Sequence, residues 1–412
     1  MSDVDKLALS PYRWVVLVVA MLAAFIGSYA QFQLPPLAYK LIPAMHISSS
    51  QFAALMGGPM TGSIFICLLG GILADRYGVK NVVTVGLVLE VIGCTFRFAT
   101  MSFWPFFFLT VLCGIASALL TSNLAKLFGA WFPMEQLGTI IGIYMISPSL
   151  AMFTGTATTA LFPSMASAFI TSGVICLVIL VAWVALAKNK PDGAPDMPVM
   201  PATKYLGVAV KSSGVWLASF AILLAWAAIM TFNDFLPNAL HAVRGISPVE
   251  AGIIGSLVTL GGAFGSWLGP VICNRVGTMK PFLIVCSLLA AAGLMWAWQM
   301  PVGAPIIIGL MLTGFFMNAT GGPILSLPML LPEIGPVYAG SAGGIIATMM
   351  VLGAVLVPTF IITPLAGTNM IMMFGLAALS FALSVIPVLF LKELGRKALE
   401  AKARQGGEGI SD

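Results

Sequence analysis

"GGILADRYGVKN", residues 70–81, gathers an aspartate, an arginine and a lysine into twelve positions of a 412-residue chain of which only 8% is charged. It stands between two apolar runs, 50–74 and 81–101, and so reads as a short polar connection between buried segments. Outward from it the same kind of run recurs along the chain, at 13–37, 104–130, 136–162, 165–187, 214–240, 249–273, 281–300, 303–330, 338–364 and 367–391. Each is near or above the roughly 20 residues that cross a bilayer. Backbone groups in hydrocarbon must bond within their own segment, so runs of this length are helices. With 59% hydrophobic residues, the composition leaves too little charge to wet the surface of a soluble protein of this size. The expectation is an all-α membrane protein with twelve transmembrane helices.

Charge in the connections orients it. With a cytoplasmic N-terminus, sixteen of the nineteen lysines and arginines fall inside, Lys40 and Arg244 fall outside, and Arg97 stays within a run. Both termini are then expected in the cytoplasm. The formal charge of +5 is a topology signal, and no basic, aromatic-interleaved patch points to nucleic acid. The start, "MSDVDKLALSPYRW", shows neither a basic n-region nor a small-residue cleavage site, so the first run is expected to be retained. The six cysteines, at 67, 94, 113, 176, 273 and 286, sit within runs or at their ends. No pair has metal-ligand spacing and no disulfide is expected; they read as small hydrophobes. Neither a Walker loop nor GxSxG, HExxH or CxxC occurs, and His46 and His241 fall in outer loops. The sequence therefore predicts no cofactor, no metal and no enzymatic constellation.

The longest connection, 188–213, is rich in proline and charge and reads as a linker between two halves. A shift of 199 residues aligns Ile47 with Ile246, Ser48 with Ser247, Gly62 with Gly261, Gly70 with Gly269, Arg76 with Arg275 and Gly78 with Gly277. The opening stretch thus has a degenerate second copy, "GPVICNRVGTMK" (269–280), with Asn274 where the first has Asp75. The expected plan is a six-helix bundle over 1–187, a central cytoplasmic loop over 188–213, a pseudo-symmetric six-helix bundle over 214–391 and a cytoplasmic tail over 392–412.

"GGILADRYGVKN" resembles the signature loop between spans 2 and 3 of the major facilitator superfamily. Gly71, Leu73, Ala74, Asp75, Arg76, Gly78 and Lys80 match, and Val79 departs where a basic residue is usual. The resemblance implies a cytoplasmic gate at Asp75, Arg76, Lys80 and Arg275, with Asp75 tying the end of span 2 to its neighbours when the inner side is closed. Charged hydrogen bonds at the bilayer edge can break as a unit, as a latch requires. The plainer alternative for Arg76 and Lys80 is an ordinary positive-inside role. "SNLAKLFGAWFPMEQLGTIIGIY" (122–144), "FLPNALHAVRGISPVEAGIIGSL" (235–257) and "LEVIGCTFR" (89–97) resemble the cyanate and nitroimidazole permease group of that superfamily. The likeness weakens after residue 330, so it implies small polar or anionic solutes and not cyanate itself.

An ionisable group in a bilayer costs roughly 2.5–3.5 kcal/mol, so each calls for a partner or a task. Glu90 and Arg97 lie two turns apart in span 3. Arg97 reads as a structural network and Glu90 as either network or proton carrier. Asp234, near the outer end of span 7, is a second candidate for proton coupling or substrate contact. Its neighbour Asn233 corresponds to Gln31 in the first half, and a site between repeats would draw a polar group from each. Asn123 and Lys126 near the inner end of span 4, Tyr144 in span 5 and Asn318 in span 10 complete the cavity candidates; Lys126 also reads as a snorkelling residue. The resulting expectation is a monomeric secondary transporter of the bacterial plasma membrane. It would take up a small molecule by alternating access, with a proton as coupling ion. An exporter of lipophilic drugs or cations is the first alternative, and a membrane receptor or sensor the second.

Overall fold

Residues 10–133, 136–191, 206–331 and 333–397 are described by a computed structural model, and every regular element among them is helical. Most of the expected central loop (192–205) and tail (398–412) lies outside the described residues. The first series comprises α1 Tyr12–Phe32, α2 Leu34–Met45, α3 Ser49–Tyr77, α4 Val79–Thr95, α5 Phe103–Thr121, α6 Leu124–Gly129, α7 Leu137–Thr158 and α8 Met165–Leu186. The second comprises α9 Leu206–Lys211, α10 Ser213–Ala242, α11 Pro248–Val276, α12 Met279–Trp296, α13 Ala304–Ala319 and α14 Gly321–Leu330. It continues with α15 Gly335–Val357, a π turn Pro358–Ile362, α16 Thr363–Ala366, α17 Met370–Leu383 and α18 Val385–Phe390. Among the described residues, eleven helical stretches are long and apolar enough to cross a membrane. They do not include α3, whose 29 residues occupy the second expected run.

Where an expected run is broken, a polar side chain or a proline explains the break. The run 104–130 divides at Asn123, whose Nδ2 donates to the carbonyls of Leu119 (2.8 Å) and Gly70 (3.1 Å). That side chain competes with the helical ladder for the same acceptor. The run 303–330 divides at Thr320, three residues before Pro323, which has no N–H to offer the preceding turn. The run 338–364 widens into the π turn at Pro358 for the same reason, and Thr363 Oγ1 donates to the Pro358 carbonyl at 2.7 Å.

The chain divides into two compact units, Met1–Met200 with Ile246–Ser256, and Pro201–Gly245 with Leu257–Asp412. In the first, α3 runs along α5, α1 along α7, and α4 between α5 and α8. In the second, α10 packs on α15 and α17, and α12 on α13 and α17. Glycines set the closest approaches. A Cβ at Gly62 would meet the Val111 carbonyl, and one at Gly114 the Pro59 backbone, fixing the α3–α5 contact. At the repeat-related sites, a Cβ at Gly261 would meet Met311 and one at Gly314 the Val258 carbonyl, fixing α11 against α13. Small residues let apolar helices gain contact where lipid supplies no hydrophobic drive. The repeat also governs helix starts. Ser48 and Gln51 form a capping box at α3, and 199 residues on, Ser247 accepts from the Glu250 N–H and pairs with its carboxylate at α11.

Gly114→Val is expected to destabilise the protein by about 2–3 kcal/mol through overpacking against rigid backbone. Gly142→Ala, on an open helix face with no neighbour within 4 Å, is expected to stabilise it by about 0.4–1 kcal/mol. Thermal unfolding in detergent compares the two, and equal shifts would refute the close-approach account.

Candidate functional site

The two copies of the charged loop are built on the same backbone device. Gly78 and Gly277 have φ of +80° and +77°, a region closed to most side chains, and each turns the chain sharply into the next helix. At the first copy, the Lys80 N–H donates to Asn189 Oδ1 at 2.6 Å, and the Trp183 indole donates to the Lys80 carbonyl at 3.1 Å. At the second, Glu393 accepts from the N–H groups of Met279 (2.7 Å), Lys280 (3.0 Å) and Gly395 (2.7 Å). Lys280 Nζ donates to the Leu389 carbonyl and the Lys397 N–H to the Gly277 carbonyl. In both units, therefore, the chain leaving the last long helix folds back and caps the helix that follows the loop. An amide does this in the first unit and a carboxylate, better matched to a helix N-terminus, in the second. Neither Asn189 nor Glu393 stands out in the sequence, since each is one polar residue in an already polar connection.

Among the expected gate residues, Lys80 acts here through its main chain. Arg76 is exposed and lies over the Tyr77 ring at 5.3 Å, and Arg275 is exposed. The side chain of Asp75 lies outside the described residues.

Inside the first unit, Gln31 Nε2 donates to the Met56 carbonyl at 3.1 Å, joining α1 to α3, and Asn123 joins the end of α5 to α3. Lys126 is half-buried on α6. Tyr144 is buried edge-on to Phe128, and its hydroxyl has no hydrogen-bond partner. Arg97 does not pair with Glu90. The end of α4 tightens into a 3-10 turn, Phe96–Ala99, which carries the guanidinium to the Ala30 carbonyl (2.7 Å) and the Cys113 thiol (3.3 Å). Glu90 is 2% exposed with Oε1 unpartnered, beside Gly27 and Ser117. Cys94 Sγ stands 3.8 Å from Cys113 Sγ. From spacing alone these cysteines are packing residues, but the fold joins them to Glu90 and Arg97 in one buried cluster. The available signal was Glu90, Cys94 and Arg97 at i, i+4 and i+7 on one helix face.

In the second unit, Asp234 is 3% exposed on α10, its Oδ1 has no partner, and Asn233 is buried beside it. A cavity of about 210 Å³ is lined by Ile222, Trp226 and Ile229 of α10 together with Ser266, Met317 and Asn318. Asp234 follows Ile229 by five residues, about 7.5 Å along the helix axis. Asn318 also packs against Gly262 and donates to the Gly314 carbonyl at 3.1 Å.

Long apolar helices, a duplicated capped loop and buried carboxyls with an unpartnered oxygen define a multi-pass membrane protein with ionisable groups in its interior. The chain belongs to the Major Facilitator Superfamily, whose family pattern matches residues 15–358. It is 22% identical to a hexuronate transporter of Bacillus subtilis (strain 168), over 72% of this chain and 75% of that one. It is also 22% identical to a probable nitrate/nitrite transporter, NarK2, of Mycobacterium tuberculosis, over 83% and 87%. Among solved structures, a D-xylose-proton symporter superposes with a TM-score of 0.73 at 16% identity, covering 93% of this chain and 99% of that one. A bacterial homologue of the human lysosomal transporter Spinster superposes at 0.74 and 15% identity, covering 92% and 95%. The protein is thus a transporter of this superfamily and not an enzyme.

Glu393→Ala is expected to remove the acceptor of three N–H groups and cost about 1–2 kcal/mol, and Asn189→Ala about 1 kcal/mol or less. Hydrogen exchange at Met279 and Lys280 should accelerate in the first variant and at Lys80 in the second. Unchanged protection at these amides would show that the caps do not hold the helix starts.

Proposed function

We propose that the chain is a twelve-span secondary transporter of the plasma membrane, with both termini cytoplasmic, that takes up a small polar or anionic solute with a proton by alternating access. The observation that carries the proton is Asp234, a carboxyl buried on α10 with one oxygen unpartnered. An ionised side chain at membrane depth costs roughly 2.5–3.5 kcal/mol, so a carboxyl that exchanges a proton during each cycle suits such a position. Anionic cargo supports the same reading. Moving one negative charge inward against the membrane potential costs about 2.3 kcal/mol per 100 mV, and a co-transported proton cancels that charge. The hexuronate and nitrate/nitrite relatives support an anion as cargo. The resemblance of 122–144 and 235–257 to the cyanate and nitroimidazole permease group supports a small polar or anionic solute, without singling out cyanate.

In this reading Asn318, Asn233 and Asp234 contact substrate or proton in the second unit, and Gln31, Asn123, Lys126 and Tyr144 are the first unit's polar contributors. Asp75, Arg76, Lys80 and Arg275 form the cytoplasmic gate, the transporter works as a monomer, and Glu90 is the second candidate carboxyl. An exporter of lipophilic cations is the second reading. It is favoured by the largely apolar 210 Å³ cavity, which no cationic side chain among the described residues lines.

In proteoliposomes, addition of the transported anion should alkalinise the external medium. Asp234→Asn should abolish that signal while leaving substrate counterflow. Persisting alkalinisation in Asp234→Asn removes Asp234 as carrier, and persistence in Glu90→Gln as well removes both carboxyls. Thermal stabilisation by lipophilic cations alone, with no response to small anions, would replace uptake by the export reading.

A further inference from the structure

The buried cluster of the first unit has the composition of a metal site. The ligand atoms of Glu90 and Cys94 on α4 and Cys113 on α5 all lie within 4.8 Å of one another, and all three residues are buried. The two sulfurs are 3.8 Å apart. Two thiolates bound tetrahedrally at about 2.3 Å from a zinc ion stand about 3.8 Å from each other, so this edge of the tetrahedron already exists. The carboxylate completes a third corner by moving in by up to about 1 Å, a side-chain rotation. Glu90 is 2% exposed with Oε1 buried and unpartnered, and the Ser117 hydroxyl flanks the same side of Gly27.

We propose that Glu90, Cys94 and Cys113 bind one thiophilic divalent cation, of the zinc class, with Arg97 as the outer partner of the Cys113 sulfur. Charge carries the argument as far as geometry does. Two thiolates and a carboxylate bring three negative charges, Arg97 beside them brings one positive charge, and a divalent ion makes the cluster neutral. In a membrane interior, a neutral cluster avoids the cost of an isolated charge. The Arg97 Nη2 to Cys113 Sγ contact of 3.3 Å fixes one ligand in the way outer hydrogen bonds orient inner ones. Sulfur donors with a single carboxylate select zinc or cadmium over magnesium or calcium, which demand oxygen. Ligands from two helices would tie α4 to α5 on the side where Arg97 already ties α4 to the Ala30 carbonyl of α1. The proposal gives Glu90 a task other than proton coupling and so removes it as the second candidate carboxyl, leaving the transport reading to rest on the second unit's Asp234.

The test uses the full-length protein, purified in detergent without reductant and stripped with a chelator, then titrated with Cd²⁺ and Zn²⁺. The expected result is one ion bound per chain, with a thiolate-to-cadmium charge-transfer band that disappears in Cys94→Ser and Cys113→Ser. Glu90→Gln should keep the band with weakened affinity, and Cys273→Ser should leave band and stoichiometry unchanged. X-ray absorption of the zinc-loaded wild-type protein should show two sulfur neighbours at about 2.3 Å, which keeps the test independent of how the variants fold. Three results would overturn the proposal: substoichiometric binding, binding unaltered in the double variant Cys94→Ser/Cys113→Ser, or zinc neighbours that are only nitrogen and oxygen. A disulfide between Cys94 and Cys113 in the freshly purified protein, read from thiol counts with and without reductant, would overturn it as well.

Discussion

A bilayer interior offers no water to polar groups, and each distinctive feature of this chain answers that constraint. Backbone groups are satisfied by helices, and where a helix is interrupted an internal donor takes over. Asn123 does this for α5 through the carbonyls of Leu119 and Gly70, and Thr363 for the π turn through the Pro358 carbonyl. Most of the charge lies in connections and tails. The few charged side chains buried inside among the described residues, Glu90, Arg97 and Asp234, are the ones for which a specific task can be argued.

With no hydrophobic drive between helices in lipid, packing relies on close approach. Gly114 against Pro59 and Gly314 against Val258 let α3 meet α5 and α11 meet α13 through their backbones. The same economy governs the loops. Gly78 and Gly277 supply the positive φ that turns the chain, and one polar side chain from the end of each unit, Asn189 or Glu393, secures the next helix start. The two caps differ in chemistry. The Glu393 carboxylate gathers three N–H groups, whereas the Asn189 carbonyl receives that of Lys80. Similar backbones in the two units therefore carry different local electrostatics at the ends of related helices.

Arg97 illustrates how far helical spacing reaches. Seven positions separate it from Glu90, which puts both on one face of an ideal helix, and an internal network follows from that alone. The partner it takes does not follow. The 3-10 turn over Phe96–Ala99 carries the guanidinium past Glu90 to Ala30 and Cys113. Asn123 and Gln31 behave alike: their polarity marks them within apolar runs, but their acceptors, Gly70 and Met56, are carbonyls that no side-chain pattern marks.

The helical class, most of the membrane runs and the duplicated loop are legible in the linear chain. These depend on the length of apolar stretches and on residues at fixed offsets, both of which are linear properties. Ser48 with Gln51 and Ser247 with Glu250 are capping pairs legible in the same way, because a cap acts over three residues. The meeting of Cys94 with Cys113 beside Glu90, and the return of Asn189 and Glu393 to loops more than a hundred residues earlier, come from the packed fold. Those meetings depend on which helix faces which neighbour and at what height. Packing of small residues sets that geometry, and hydropathy along one chain carries no record of it.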